Sequence, residues 1–106
     1  MSELLIVETR CPLKEGGALS GLQLAAEAAA TGQPVRVWLM AEALTLLQLK
    51  SRDVLDPCIE SDAIEVFADS FGMAQRNIRA VDGVTAAPMD VFTTHLLSPG
   101  AKPVWH

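Results

Sequence analysis

Short apolar runs bounded by polar, glycine or proline breaks alternate along this chain with longer stretches of helical period. Leu4–Glu8 predicts a strand, because a brief continuous apolar run suits a central parallel strand covered on both faces. Thr9–Gly17, marked by Pro12 and Gly16-Gly17, is a loop. Ala18–Thr31 predicts a helix with Leu19, Leu22, Ala26 and Ala29 on one stripe, Gly32 at its left-handed cap and Pro34 barring continuation. Val35–Met40 is a second strand carrying Trp38, and Ala41–Leu49 a short helix built on Leu44, Leu46 and Leu47. Lys50–Asp62 has no clear period and reads as an irregular connection with room for one helical turn. Ala63–Ala68 is the third strand; Asp69 or Ser70 caps a helix running to about Arg79. Asp82-Gly83 makes a turn, Val84–Ala86 a brief fourth strand, and Pro88 opens a helix whose Met89, Phe92 and Leu96 share a face. Pro99-Gly100 ends it, leaving Lys102–Trp105 as a last strand.

Strands alternating with helices predict a single α/β domain over residues 1–106. It is a three-layer sandwich around a five-stranded, mainly parallel sheet of flavodoxin-like or related order. In the order 2-1-3-4-5 the first and third strands are neighbours. The loops Thr9–Gly17 and Ala68–Ser70 would then face each other across one crevice at the carboxyl end of the sheet, bringing Cys11, Asp69 and Ser70 together.

Composition narrows the function. Half of the 106 residues are hydrophobic and 20% charged, a balance that builds a core and excludes disorder. A formal charge of -5, with eight scattered Lys and Arg, gives no footprint for nucleic acid. No apolar stretch approaches the length of a membrane span, and nothing resembles a signal peptide, so a cytoplasmic protein with reduced thiols is expected. No Walker loop, GxGxxG or GxSxG is present, and no histidines stand at metal-ligand spacing; neither a cofactor nor a metal is expected.

What chemistry the chain offers centres on Cys11, placed just after the first strand with Arg10 and Lys14 beside it. Cationic neighbours lower a thiol pKa, and the thiolate is the nucleophile; the alternative is a small residue filling a loop. Cys58 sits among Asp56, Glu60 and Asp62, whose charges would raise its pKa and blunt it. Asp69 and Ser70 stand where a ligand could bind, or simply cap the helix that follows. His95, beside the Phe92/Leu96 stripe, reads as a partly buried structural or interface histidine.

The layout resembles the DsrE/DsrF-like family, which includes TusD-type proteins. The resemblance rests on the first strand, the Pro-containing loop, the helix ending in Ala-x-x-Gly, and the second apolar strand. It continues through Glu65–Ile78, including Ala74-Gln75-Arg76-Asn77-Ile78, and the final Pro-Gly break and strand. It implies a small cytoplasmic α/β protein of DsrE-like strand order that assembles as a homo-oligomer or with related DsrE-family subunits. Several members carry sulfur as a persulfide on a cysteine just after the third strand, exchanging it with donor and acceptor proteins. Here Ala68-Asp69-Ser70 holds that place, and a carboxylate cannot hold a persulfide. Two functions follow. One is a sulfur-relay-related carrier, or a noncatalytic subunit of such an assembly, with Cys11 the candidate persulfide thiol. The other is a ligand-binding or assembly module without covalent chemistry, using Trp38, Phe71 or Trp105 at an interface. No acid/base pair points to a conventional enzyme.

Overall fold

The computed structural model describes residues 3–10, 19–48 and 55–105. Five parallel strands form one sheet: β1 (Glu3–Glu8), β2 (Val35–Leu39), β3 (Ile64–Asp69), β4 (Val84–Ala87) and β5 (Ala101–Trp105). The helices are α1 (Leu19–Ala30), α2 (Asp56–Glu60), α3 (Ser70–Gln75) and α4 (Met89–Leu96), with a 3₁₀ helix at Ala41–Gln48. The α/β sandwich is as expected, but the strand order is β4-β3-β2-β1-β5 and not 2-1-3-4-5.

Handedness explains the layers. The steps from β1 through β4 all go one way, so right-handed crossovers put their helices on one face. The step from β4 back to β5 passes over three strands the other way and puts α4 on the opposite face. The two cores agree with this. Leu4 and Ile6 of β1 pack with Leu22, Ala25, Leu44, Leu55 and Met73 on the helix-rich face. Leu5 and Val7 pack with Trp38, Phe67 and Phe92 beneath α4. β1 therefore reads as an unbroken apolar run because both of its faces are covered.

Local chemistry sets the element ends. At the end of α1, Gly32 adopts φ 88°; its N–H donates to Ala29 O, and that of Gln33 to Ala28 O. This is the Schellman closure the Gly predicts. The helix expected to reach Arg79 stops instead at Gln75, by the same closure with Asn77 at φ 54°. There the Ile78 N–H donates to Met73 O, and both side chains are buried. The segment after β2 is 3₁₀ rather than α. A three-residue period aligns the pairs Ala43/Leu46 and Leu44/Leu47, and all four are buried. The connection before β3 contains a short helix, α2, with Pro57 in its first turn.

Gly83 sits at φ 88° where an added Cβ would overlap the Ile59 side chain, whereas Gly32, at the same φ, faces open space. Gly32→Ala is expected to cost about 1 kcal/mol from backbone strain alone. Gly83→Ala adds overpacking and is expected to cost about 1 kcal/mol or more beyond that, read from urea denaturation midpoints.

Candidate functional site

The carboxyl end of the sheet collects Glu8 of β1 and Arg10 just after it, Met40 and Ala41 after β2, Asp69 and Ser70 at β3, and Ala87 of β4. The crevice expected between the first and third strands is absent, because β2 lies between them. Glu8 pairs with Leu39, and Leu39 with Ala68, so β1 and β3 stand two strand spacings apart, about 10 Å. Arg10, exposed just after β1, lies at the same end of the sheet as Asp69 and Ser70, with β2 between their strands. Cys11 and Lys14 lie outside the described residues.

Asp69 caps α3. Its Oδ1 accepts the Phe71 N–H at 3.1 Å, and the residue has the extended backbone of an N-cap, φ -63° and ψ 110°. Gly72 keeps this corner tight, since a Cβ there would meet Leu44 Cδ1 at 2.7 Å and Asp69 Oδ2 at 3.0 Å. Asp69→Ala is expected to lose about 1 kcal/mol of stability and Asp69→Asn only a fraction of it. Thermal denaturation compares them; equal losses would mean that the carboxylate charge, not the cap, matters here.

Cys58 is fully buried in α2, and its thiol donates to Leu22 O at 3.7 Å. Burial pushes its pKa up to about 11. The direction matches the expectation, but the cause is desolvation and not the acidic neighbours. Alkylation of Cys58 at neutral pH is expected only after unfolding, which iodoacetamide labelling with and without denaturant would read.

Glu8, which the pattern alone does not single out, is the unusual group. It ends β1 with 0% of its surface exposed, and neither carboxylate oxygen makes a hydrogen bond of good geometry to a described residue, the Arg10 backbone N–H favouring the charged form without a well-formed bond. Desolvation raises its pKa from 4.5 to about 7, outweighing the backbone N–H and charge of Arg10, which pull the other way. The available signal was a carboxylate closing an apolar run at the carboxyl end of a doubly covered strand. Next to it the backbone is strained: the Met40 N–H donates to Glu8 O at 3.0 Å, and the following Ala41 holds φ 52°.

Beneath α4 lies an aromatic cluster. Trp38, 0% exposed, stacks on Phe67 at 5.1 Å and meets Phe92 edge-on at 5.3 Å. Its indole N–H donates to His95 Nδ1 at 3.0 Å, so neutral His95 carries its proton on Nε2. His95 is thus a structural histidine, as expected. Trp38 is core and not an interface residue, whereas Phe71 and Trp105 are 66% and 58% exposed. Near the amino end of the same face, Arg36 bridges Glu3 at 3.0 Å and Glu65 at 3.4 Å. Among the described residues no His/Cys/Asp/Glu group suits a metal, and no helix is long and apolar enough to cross a membrane.

No family model matches the chain, and no curated protein matches it. Solved structures do. The crystal structure of the YchN protein from E. coli covers 100% of both chains at TM-score 0.87 and 18% identity. A conserved protein of unknown function from Bacteroides thetaiotaomicron, BT1422, covers 99% of this chain and 95% of its own at TM-score 0.77 and 16% identity. At such identities the likeness is one of fold, and the fold is DsrE-like.

Proposed function

We propose that this chain is a cytoplasmic subunit of a DsrE-like assembly, formed with its own copies or related subunits, whose sulfur chemistry rests on Cys11. The observation that carries the reading is one of elimination on a DsrE-like fold. The place after β3 holds Asp69, engaged as a helix cap, and Cys58 is buried with its pKa near 11. Cys11 is the remaining cysteine, three positions along the chain from Glu8, where β1 ends on the side of the sheet at which parallel α/β proteins bind ligands. Arg10 and Lys14 favour its thiolate. The thiolate attacks the outer sulfur of a donor persulfide, R–S–SH. A new S–S bond forms at Cys11, the donor's S–S bond breaks, and the departing donor thiolate takes up a proton. Nothing is oxidised or reduced overall.

Intact-mass spectrometry after exposure of the reduced protein to a persulfide donor tests this, alongside Cys11→Ala and Cys58→Ala. A gain of one sulfur atom that disappears only in Cys11→Ala is expected. The absence of any gain in the unsubstituted chain favours the second reading, a noncovalent assembly module. The exposed Phe71, Trp105 and Leu97, the last 75% exposed, speak for that reading. A strict monomer by light scattering would count against both.

A further inference from the structure

We propose that the end of β1 is a proton-controlled latch: protonated Glu8 stays in the core beneath the Thr9–Arg10 junction, and ionised Glu8 turns out to solvent and releases that junction.

Three observations converge on it. Glu8 is fully buried and neither of its oxygens makes a well-formed hydrogen bond among the described residues, a state a neutral carboxyl tolerates far better than a charged one. It is the last residue of its strand, so its side chain can leave the core by turning the chain end without breaking the sheet. The neighbouring segment has a built-in reason to relax, since the Met40 N–H bonded to Glu8 O is followed by Ala41 in a left-handed conformation disfavoured for a residue with a Cβ.

The charges around Glu8 allow the outward state. Arg10, exposed two residues on, already acts on the Glu8 carboxyl and offers the ionised form an opposite charge near solvent. From the elements flanking the helix-rich face, Glu27 of α1 and Glu42 of the 3₁₀ helix are exposed, and the carboxyl end of β2 carries no charged residue. Lys14 and Glu15 lie outside the described residues. Burial places the switch near pH 7, within the range a cell can traverse. The latch does not depend on whether Cys11 carries sulfur.

Amide hydrogen exchange, corrected for intrinsic rates, tests it in the full chain. The Met40 amide reports the latch, and the Ile6 amide, in mid-strand and paired on both sides, reports the whole fold. Met40 protection is expected to lie well below that of Ile6 and to fall about tenfold per pH unit between pH 5 and 7 before levelling off; Ile6 falls in step from its higher level, because the whole fold loses stability with the same proton. In Glu8→Gln the Met40 profile is expected to be flat. Equal protection and equal urea dependence at Met40 and Ile6 would overturn the proposal, because Glu8 would then ionise only with global unfolding. So would a Glu8 side-chain carbon resonance titrating near its ordinary value in the unsubstituted protein, a measurement that needs no variant.

Discussion

Above pH 8, Glu8→Gln is expected to be more stable than the unsubstituted protein by about 3 kcal/mol, and near pH 4 the two are expected to match. The sign follows from proton linkage. The folded state holds the Glu8 proton up to about pH 7, whereas the unfolded chain releases it near 4.5. Between those values the folded state binds more protons, so its stability falls as pH rises. The contribution is complete below 4.5 and gone above 7, and a shift of that size corresponds to about 3 kcal/mol. Glutamine keeps the shape and cannot ionise, so the difference between the two proteins isolates this one group from the other carboxylates. Urea denaturation at several pH values reads it. A difference that does not change with pH would show that Glu8 ionises equally easily folded and unfolded.

Trp38→Ala is expected to be the most damaging single substitution, at about 4 kcal/mol or more. It opens a large cavity beneath α4 and removes the stacking with Phe67, the edge contact with Phe92 and the hydrogen bond to His95. For a domain of this size, that is a large fraction of total stability. Trp38→Phe is expected to recover most of the packing while losing the donor to His95. Burial, then the charge of Arg36, lowers the His95 pKa, against smaller pulls from Glu65 and Glu3. Protonation would also put a second donor against the Trp38 N–H. Stability from this pair is therefore present above about pH 6.5 and declines as pH falls through the lowered value, opposite in sign to Glu8. Trp38→Phe is expected to weaken that acid-side decline. Calorimetry from pH 5 to 8 checks this, and an unchanged decline would assign it to other groups.

The parts legible in the chain were those set by local chemistry. β1, β2 and β3 follow from their apolar runs, and the end of α1 from Gly32. The end of α3 was not legible, because Asn77 closes it in a conformation that glycine usually signals. Nor was the 3₁₀ character of Ala41–Gln48, where leucines at 44 and 47 satisfy either helical period and tertiary packing chooses between them. Asp69 as a helix cap was one of two readings the sequence offered, and the Phe71 N–H settles its structural role.

By itself, then, the sequence determined the alternation of strands and helices, a buried sheet between two layers, and a DsrE-like resemblance that the fold supports. Strand order was a decision of the tertiary structure, since adjacency in a parallel sheet depends on which way each crossover steps and leaves no local mark. That decision put β2 between β1 and β3, so the two strands are not the neighbours that the expected crevice required. It also covered both faces of β1, and burial made the carboxylate at its end a titrating group without a well-formed hydrogen bond among the described residues. The same burial made Trp38 core, where an aromatic read along the chain serves equally well inside or at an interface.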